Sequence, residues 1–138
     1  MQTSFTDKQL QDKDNKTSET IIRKCVHCGM CNATCPTYGI NGEELEGPRG
    51  RIYLIKDMLE NKKPATKEIA KHIDSCLSCY SCMTTCPSGV NYMHLIDHGR
   101  NYVEETFKRP LLDRLFRNIL SFVLPRPKVF LLMAWSSK

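Results

Sequence analysis

An all-α fold built around two metal-binding loops is what this sequence predicts, and three observations predict it. Apolar residues recur at helical spacing wherever a stretch is long enough to show a period, as at Ile52, Ile55 and Leu59. No stretch alternates convincingly in the manner of a strand. All eight cysteines fall in two short runs of one form, "CVHCGMCNATCP" from Cys25 and "CLSCYSCMTTCP" from Cys76. At 138 residues, a quarter of them charged, the chain buries a modest share of its surface and gains from covalent or metal staples.

Residues 1–16 are polar and aperiodic and are expected to form a mobile arm. A short helical turn from Thr17 or Ser18 through Ile21 and Ile22, or an ordered coil, leads into the first run. The glycines at 39, 42 and 47 mark a loop. Pro48 suits the first position of a helix, where its missing N–H costs nothing, and residues 61–64 stop it. A second helix starts near Thr66 with Ile69, Ile73 and Cys76 on one face, and delivers the chain to the second run. Asn91 can cap a third helix with Leu95, Ile96, Tyr102 and Val103 inward, ending before Pro110. A fourth, "LLDRLFRNILSFVL", aligns Leu112, Leu115, Phe116, Ile119 and Val123 in one stripe before Pro125 and Pro127 break it. Residues 17–107 thus hold the domain with both cysteine runs, and residues 108–138 an amphipathic helix.

Two kinds of staple compete for the cysteines. A disulfide scaffold belongs in an exported chain, and the start "MQTSFTDKQLQDKDNK" has neither an apolar core nor a small-residue cleavage site. A reducing cytosol, where clustered thiols bind metal, is the expectation. Both runs read C-x2-C-x2-C-x3-C-P. Three thiolates so spaced in a wrapped loop reach three irons of one cube, and the fourth, turned aside by proline, suits the neighbouring cube. By that rule Cys25, Cys28, Cys31 and Cys86 hold one 4Fe–4S cluster, and Cys76, Cys79, Cys82 and Cys35 hold the other. Zinc is a poor match, because its sites pair two ligands, leave a dozen residues and pair two more. The expected fold is therefore all-α, wrapped around two 4Fe–4S clusters.

Gly29 lets the backbone approach the cluster sulfurs, whereas Tyr80 at the matching place must adopt angles open to a side chain, so the two sites should differ. His27 reads as a spacer between ligands, and His72, His94 and His98, lacking a partner pattern, as surface or packing residues. The formal charge of +5 comes from scattered basic residues without an aromatic ladder, which argues against nucleic acid. Two clusters would add about −4 and bring the total to about +1. No nucleophile motif, dinucleotide loop or paired carboxylate indicates a catalytic site on this chain.

With "CVHCGMCNATCPTY", "GPRGRIYLIKDMLE", "CLSCYSCMTTCPSGVNY" and "KRPLLDRLFRNIL" placed in that order, the chain resembles the N-terminal part of the iron–sulfur subunits of glycolate oxidase (glycolate dehydrogenase), from about Thr17 to Phe130. The iron–sulfur subunits of anaerobic glycerol-3-phosphate and lactate dehydrogenases share the cysteine runs. The Glu46–Arg51 block, "EGPRGR", favours the glycolate family. The resemblance implies an α-helical ferredoxin with two 4Fe–4S clusters. It would serve as an electron-transfer subunit that drains FAD-binding dehydrogenase subunits, two electrons on the flavin passing one at a time through the clusters to a quinone or another acceptor. A free-standing soluble ferredoxin is the alternative. Family members continue into further cysteine-rich domains, so residues 108–138 are expected to be a truncated connector to domains that this sequence lacks. The resemblance also implies a cytoplasmic protein, associated peripherally with the inner face of the cell membrane if its acceptor is the membrane quinone pool. Arg49 and Arg51 either point at an anionic cluster or a partner's acidic surface, or sit on a solvated helix start. The stripe at Leu112–Val123 either packs on protein or, with Arg114, Arg117 and Arg126 beside it, lies on a membrane surface.

Overall fold

The structure, a computed structural model, describes residues 1–136. Among them are helices and 3-10 turns and no strand. The chain divides into two units, Met1–Phe107 and the segment from Lys108 onward.

In the first unit, α1 (Lys13–Lys24) begins where Asp12 accepts the backbone N–H of Asn15 at 2.8 Å. That start lies ahead of the expected Thr17, and Ile21 and Ile22 are buried as expected. The segment before α1, expected as a mobile arm, lies instead along the core. The Gln9 side chain is buried and donates to the carbonyls of Leu59 and Glu60 at 2.8 and 3.0 Å. The N-terminal ammonium of Met1 donates to Arg23 O at 3.2 Å and to Cys25 O. Carbonyls in the last turn of a helix have no partner within it and carry partial negative charge. A polar arm can satisfy them without apolar residues of its own, so its lack of hydrophobic pattern hid it.

A short helix, α2 (Pro36–Asn41), occupies what the glycines suggested was loop. Pro36 supplies its first position, and Gly42 at φ +66° ends it. A 3-10 turn at Glu44–Glu46 follows, then α3 (Pro48–Asn61), which opens on Pro48 and buries Ile52, Ile55, Met58 and Leu59. Thr66 caps α4 (Lys67–Asp74) by accepting from Ile69 N–H at 3.2 Å. After the brief α5 (Ser81–Thr84), Asn91 accepts from His94 N–H at 3.4 Å and starts α6 (Tyr92–Thr106). Helices α1, α3, α4 and α6 surround a core in which Ile22, Ile55, Met58, Ile73, Leu95, Ile96 and Val103 are fully enclosed. Tyr102 is only partly buried at its edge.

In the second unit, α7 (Leu111–Val123) carries the predicted stripe, with Leu112, Leu115, Phe116 and Ile119 exposed and Val123 buried. Pro125 and Pro127 end it as expected, but Pro127 also opens α8 (Pro127–Ser136). Among the described residues no helix is long and apolar enough to cross a membrane.

Candidate metal centre

The two cysteine runs share a backbone design. His27 and Gly29 flank the second cysteine of the first run with φ of +61° and +82°, and Ser78 and Tyr80 flank that of the second with +51° and +56°. Left-handed residues alternating with ordinary ones turn successive N–H groups toward one point and form an anion-binding concavity. Tyr80 therefore does not avoid the glycine-like conformation, as the sequence had suggested, but adopts it. At Gly29 a Cβ would lie 2.5 Å from Nη1 of Arg49, so the end of that arginine would have to move aside for any side chain there. Beyond these turns, the 3-10 helix Met30–Thr34 carries Cys31 and α5 carries Cys82.

All eight cysteines are free thiols. They converge on two neighbouring cavities. The first is lined by Cys25, Cys28, Cys31 and, from the other run, Cys86. The second is lined by Cys76, Cys79, Cys82 and, from the first run, Cys35. Cys82, Pro48 and Tyr92 line both and form their common wall. Both cavities open to solvent, and the room enclosed in each is small, about 30 and 20 Å³. The donor set suits a thiolate-held group, and the C-x2-C-x2-C-x3-C-P spacing of the two runs favours a cluster over a single zinc ion. Cys28 and Cys79 are exposed, whereas Cys25 and Cys82 are buried.

The electrostatics describe the same convergence. Burial raises the Cys31 thiol above its ordinary value, and the neighbouring charges of Cys25, Cys86 and Cys28 add to the effect. Cys82 is pushed up to about 12, first by burial and then by Cys31, Cys76, Cys35 and Cys79. Cys79 goes the other way, lowered by hydrogen bonds from the backbone and then the side chain of Ser81. Thiolates gathered this closely, some of them shielded from water, repel one another unless cations lie between them.

Beside the second cavity lies a buried polar network that sequence patterns did not reveal. Arg51 is completely buried. Its Nη2 donates to Glu46 Oε2 at 2.8 Å, to Ser75 Oγ at 2.9 Å and to Thr37 Oγ1 at 3.1 Å, and its Nε donates to His72 O at 2.6 Å. His72 Nδ1 meets Glu46 Oε1 at 2.7 Å. Of the alternatives for the arginines, a solvated helix start and a docking surface both fail for Arg51: it faces inward, with Nη1 4.0 Å from Cys35 Sγ. Arg49 lines the first cavity over Gly29, with its guanidinium clasped by both carboxylate oxygens of Glu44. His72 likewise has a definite partner, contrary to expectation. Its partners lie far off in sequence, which is why no spacing disclosed them. His27 is exposed between two cysteines, and His98 sits in the packing against Ser18 Oγ at 2.7 Å.

Residues 21–90 match a family model described as "4Fe-4S dicluster domain". The chain is 52% identical over 130 residues, 94% of its length, to the "Glycolate oxidase iron-sulfur subunit" of Escherichia coli (strain K12), and covers 32% of that protein. It is 32% identical over 117 residues, 81% of its length, to the "Probable glycolate oxidase iron-sulfur subunit" of Bacillus subtilis (strain 168), covering 26% of it. A more distant relative, 30% identical over 76 residues, is the "Succinate dehydrogenase iron-sulfur subunit" of Paracoccus denitrificans, with 51% of this chain and 29% of that protein aligned. The chain therefore spans about a third or less of the length of these curated relatives. No solved structure matches it. The eight cysteines fit two 4Fe–4S clusters, and a match that runs from Ile21, one turn ahead of the first cysteine, to Val90, just past the last, makes the chain a member of the 4Fe–4S dicluster domain family.

Proposed function

We propose that this chain is the cluster-bearing N-terminal part of an electron-transfer subunit, working with FAD-binding partners that oxidise a 2-hydroxy acid, with glycolate as substrate. One observation carries the reading: two cavities lined by cysteines of both runs stand side by side, Cys25, Cys28, Cys31 and Cys86 in one and Cys35, Cys76 and Cys79 in the other, with Cys82, Pro48 and Tyr92 in their common wall. In this reading Cys25, Cys28, Cys31 and Cys86 hold one cluster, and Cys76, Cys79, Cys82 and Cys35 the other. Each cluster supplies storage for one electron, which suits a two-electron flavin emptied in two steps. The protein's part is to hold the two sites adjacent, shield Cys25 and Cys82 from water, and leave Cys28 and Cys79 near the surface, where electrons enter and leave. The final acceptor is a quinone, reached by peripheral contact with the membrane, or another electron carrier. The exposed stripe of α7 serves as a packing face within the complex. The name of the E. coli relative, at 52% identity, supports glycolate over other 2-hydroxy acids.

Anaerobic EPR on the protein purified with its native partners tests this reading. Glycolate alone, among glycolate, D-lactate and glycerol 3-phosphate, is expected to produce reduced-cluster signals. Reduction by D-lactate or glycerol 3-phosphate instead would reassign the substrate. If dithionite reduces two clusters and no substrate does, the chain is either an autonomous ferredoxin or a part cut off from the rest of its electron path, and the glycolate reading loses its support.

A further inference from the structure

The two cavities are matched in their cysteines but not in the groups aimed at them. Tyr92 stands in their common wall, 3% exposed, and its hydroxyl serves one side only, donating to Cys76 Sγ at 3.7 Å. On that same side the Thr37 hydroxyl lies 3.2 Å from Cys35 Sγ, and the buried guanidinium of Arg51 reaches within 4.0 Å of it. On the other side Arg49 is near enough for its charge to act on Cys31, but among the described residues it makes no hydrogen bond to a cysteine sulfur. Among the described residues no side-chain donor is directed at the sulfur of Cys25, Cys28, Cys31 or Cys86. The polar neighbour of Cys31 Sγ is Asn32 Oδ1, an acceptor, at 3.9 Å. Arg49 does line that cavity, but both its Nε and its Nη2 are engaged by Glu44, and a third of its side chain is exposed to water.

Adding an electron makes a thiolate-held cluster more negative. Donors directed at its sulfurs stabilise that charge, and they act more strongly where water is excluded. Tyr92 is the cleanest of these donors: it is neutral, so no counter-charge offsets it, and it is buried. We propose that Tyr92 is a positioning residue that makes the Cys35, Cys76, Cys79 and Cys82 site the higher-potential of the two, so that the first electron rests there and the Cys25, Cys28, Cys31 and Cys86 site fills second. Each step adds one electron to one site and moves no proton. The electron comes from the reduced flavin of a partner in the complex and from dithionite in the test. The inference rests on the two-cluster reading above.

The test is an EPR-monitored dithionite titration of the cluster-loaded protein, with Cys28→Ser marking the first site and Cys79→Ser the second. The signal that develops at higher potential is expected to be the one altered by Cys79→Ser. Tyr92→Phe, which keeps the ring and removes the hydroxyl, is expected to lower that midpoint alone. At a fixed potential the reduced-to-oxidised ratio of that cluster falls several-fold, at most about tenfold, equivalent to about 59 mV for one electron. A higher-potential signal altered by Cys28→Ser overturns the ordering without any use of the tyrosine variant. Midpoints that stay put, or that move together, in Tyr92→Phe overturn the role of the hydroxyl. Iron and sulfide analysis of the wild type separates these from failure of the underlying reading: fewer than two clusters' worth of inorganic sulfide would overturn both.

Discussion

Arg51 is the residue on which most of the buried polarity converges. Its guanidinium ties the 3-10 turn at Glu46, the α4 terminus at His72 and Ser75, and Thr37 on α2 into one unit. Desolvating such a pair is expensive, so its presence is weak evidence of net stabilisation, but breaking it leaves a carboxylate buried without its cation. Arg51→Met is therefore expected to cost about 3–5 kcal/mol, measured by urea unfolding of the cluster-loaded protein. The double variant Glu46→Leu, Arg51→Met should cost less than the two single changes summed, because neither charge is then stranded. Simple additivity would show that the two residues act separately. Gly29 and Tyr80 illustrate a second feature at this scale. Both adopt left-handed backbone in equivalent places, yet only Gly29 faces an arginine where its Cβ would be.

At the scale of elements, α3 and α6 meet closely where Gly99 faces Ile55. A Cβ on Gly99 would lie 2.8 Å from Ile55 Cγ1 and 3.0 Å from its Cδ1, and Ile55 is fully buried with nowhere to move. Gly99→Ala gains about 1 kcal/mol of helix propensity, but overpacking costs about 1–3 kcal/mol, so net destabilisation is expected. Ile55→Val, which removes the Cδ1 methyl, should be better tolerated in the Gly99→Ala background than in the wild type, a coupling that thermal unfolding of the four proteins would reveal. Where α1 meets α6, Ser18 holds His98 Nδ1 at 2.7 Å. Burial lowers the His98 pKa, aided by His94 and opposed by Asp14, Asp12 and Glu105. The folded state then binds fewer protons at His98 than the unfolded chain between the lowered value and the ordinary one of about 6.5. Stability rises with pH across that window and is lost as the pH falls through it. Wild type should thus lose more stability than His98→Gln between about pH 7 and pH 5, and parallel pH profiles would show that His98 is not the group responsible. The longer helices were legible beforehand because Pro48, Thr66 and Asn91 are caps or starts whose mechanism is local, and because Ile52, Ile55 and Leu59 repeat at 3.6-residue spacing. Helix α2 was not legible, since its glycines outweighed the helix-starting proline. The N-terminal segment escaped notice because polar bonds to helix-end carbonyls leave no periodic trace.

Across the whole molecule, the site was far more legible than its surroundings. Cysteine forms disulfides as well as metal bonds, but two runs of four at C-x2-C-x2-C-x3-C-P spacing point to metal before any fold is known. The Glu46, Arg51 and His72 network depends on residues brought together by folding and could not be read from spacing. The folded chain has a further property that neither run possesses by itself: each cavity draws its fourth cysteine from the other run, Cys86 into the first and Cys35 into the second. Metal held this way closes the long loop between the runs as well as the short loops within them, which constrains the unfolded chain and couples cofactor binding to folding. The prediction that isolates this property compares four single substitutions. Cys35→Ala should alter the same EPR signal as Cys79→Ala, although Cys35 belongs to the first run, and Cys86→Ala should alter the same signal as Cys28→Ala. All four should also lower the urea midpoint, because each weakens a tie in the fold. If Cys35→Ala instead changes the signal that Cys28→Ala changes, each run holds its own cluster. The two halves would then be joined by the apolar core and the Arg51 network, with no metal between them.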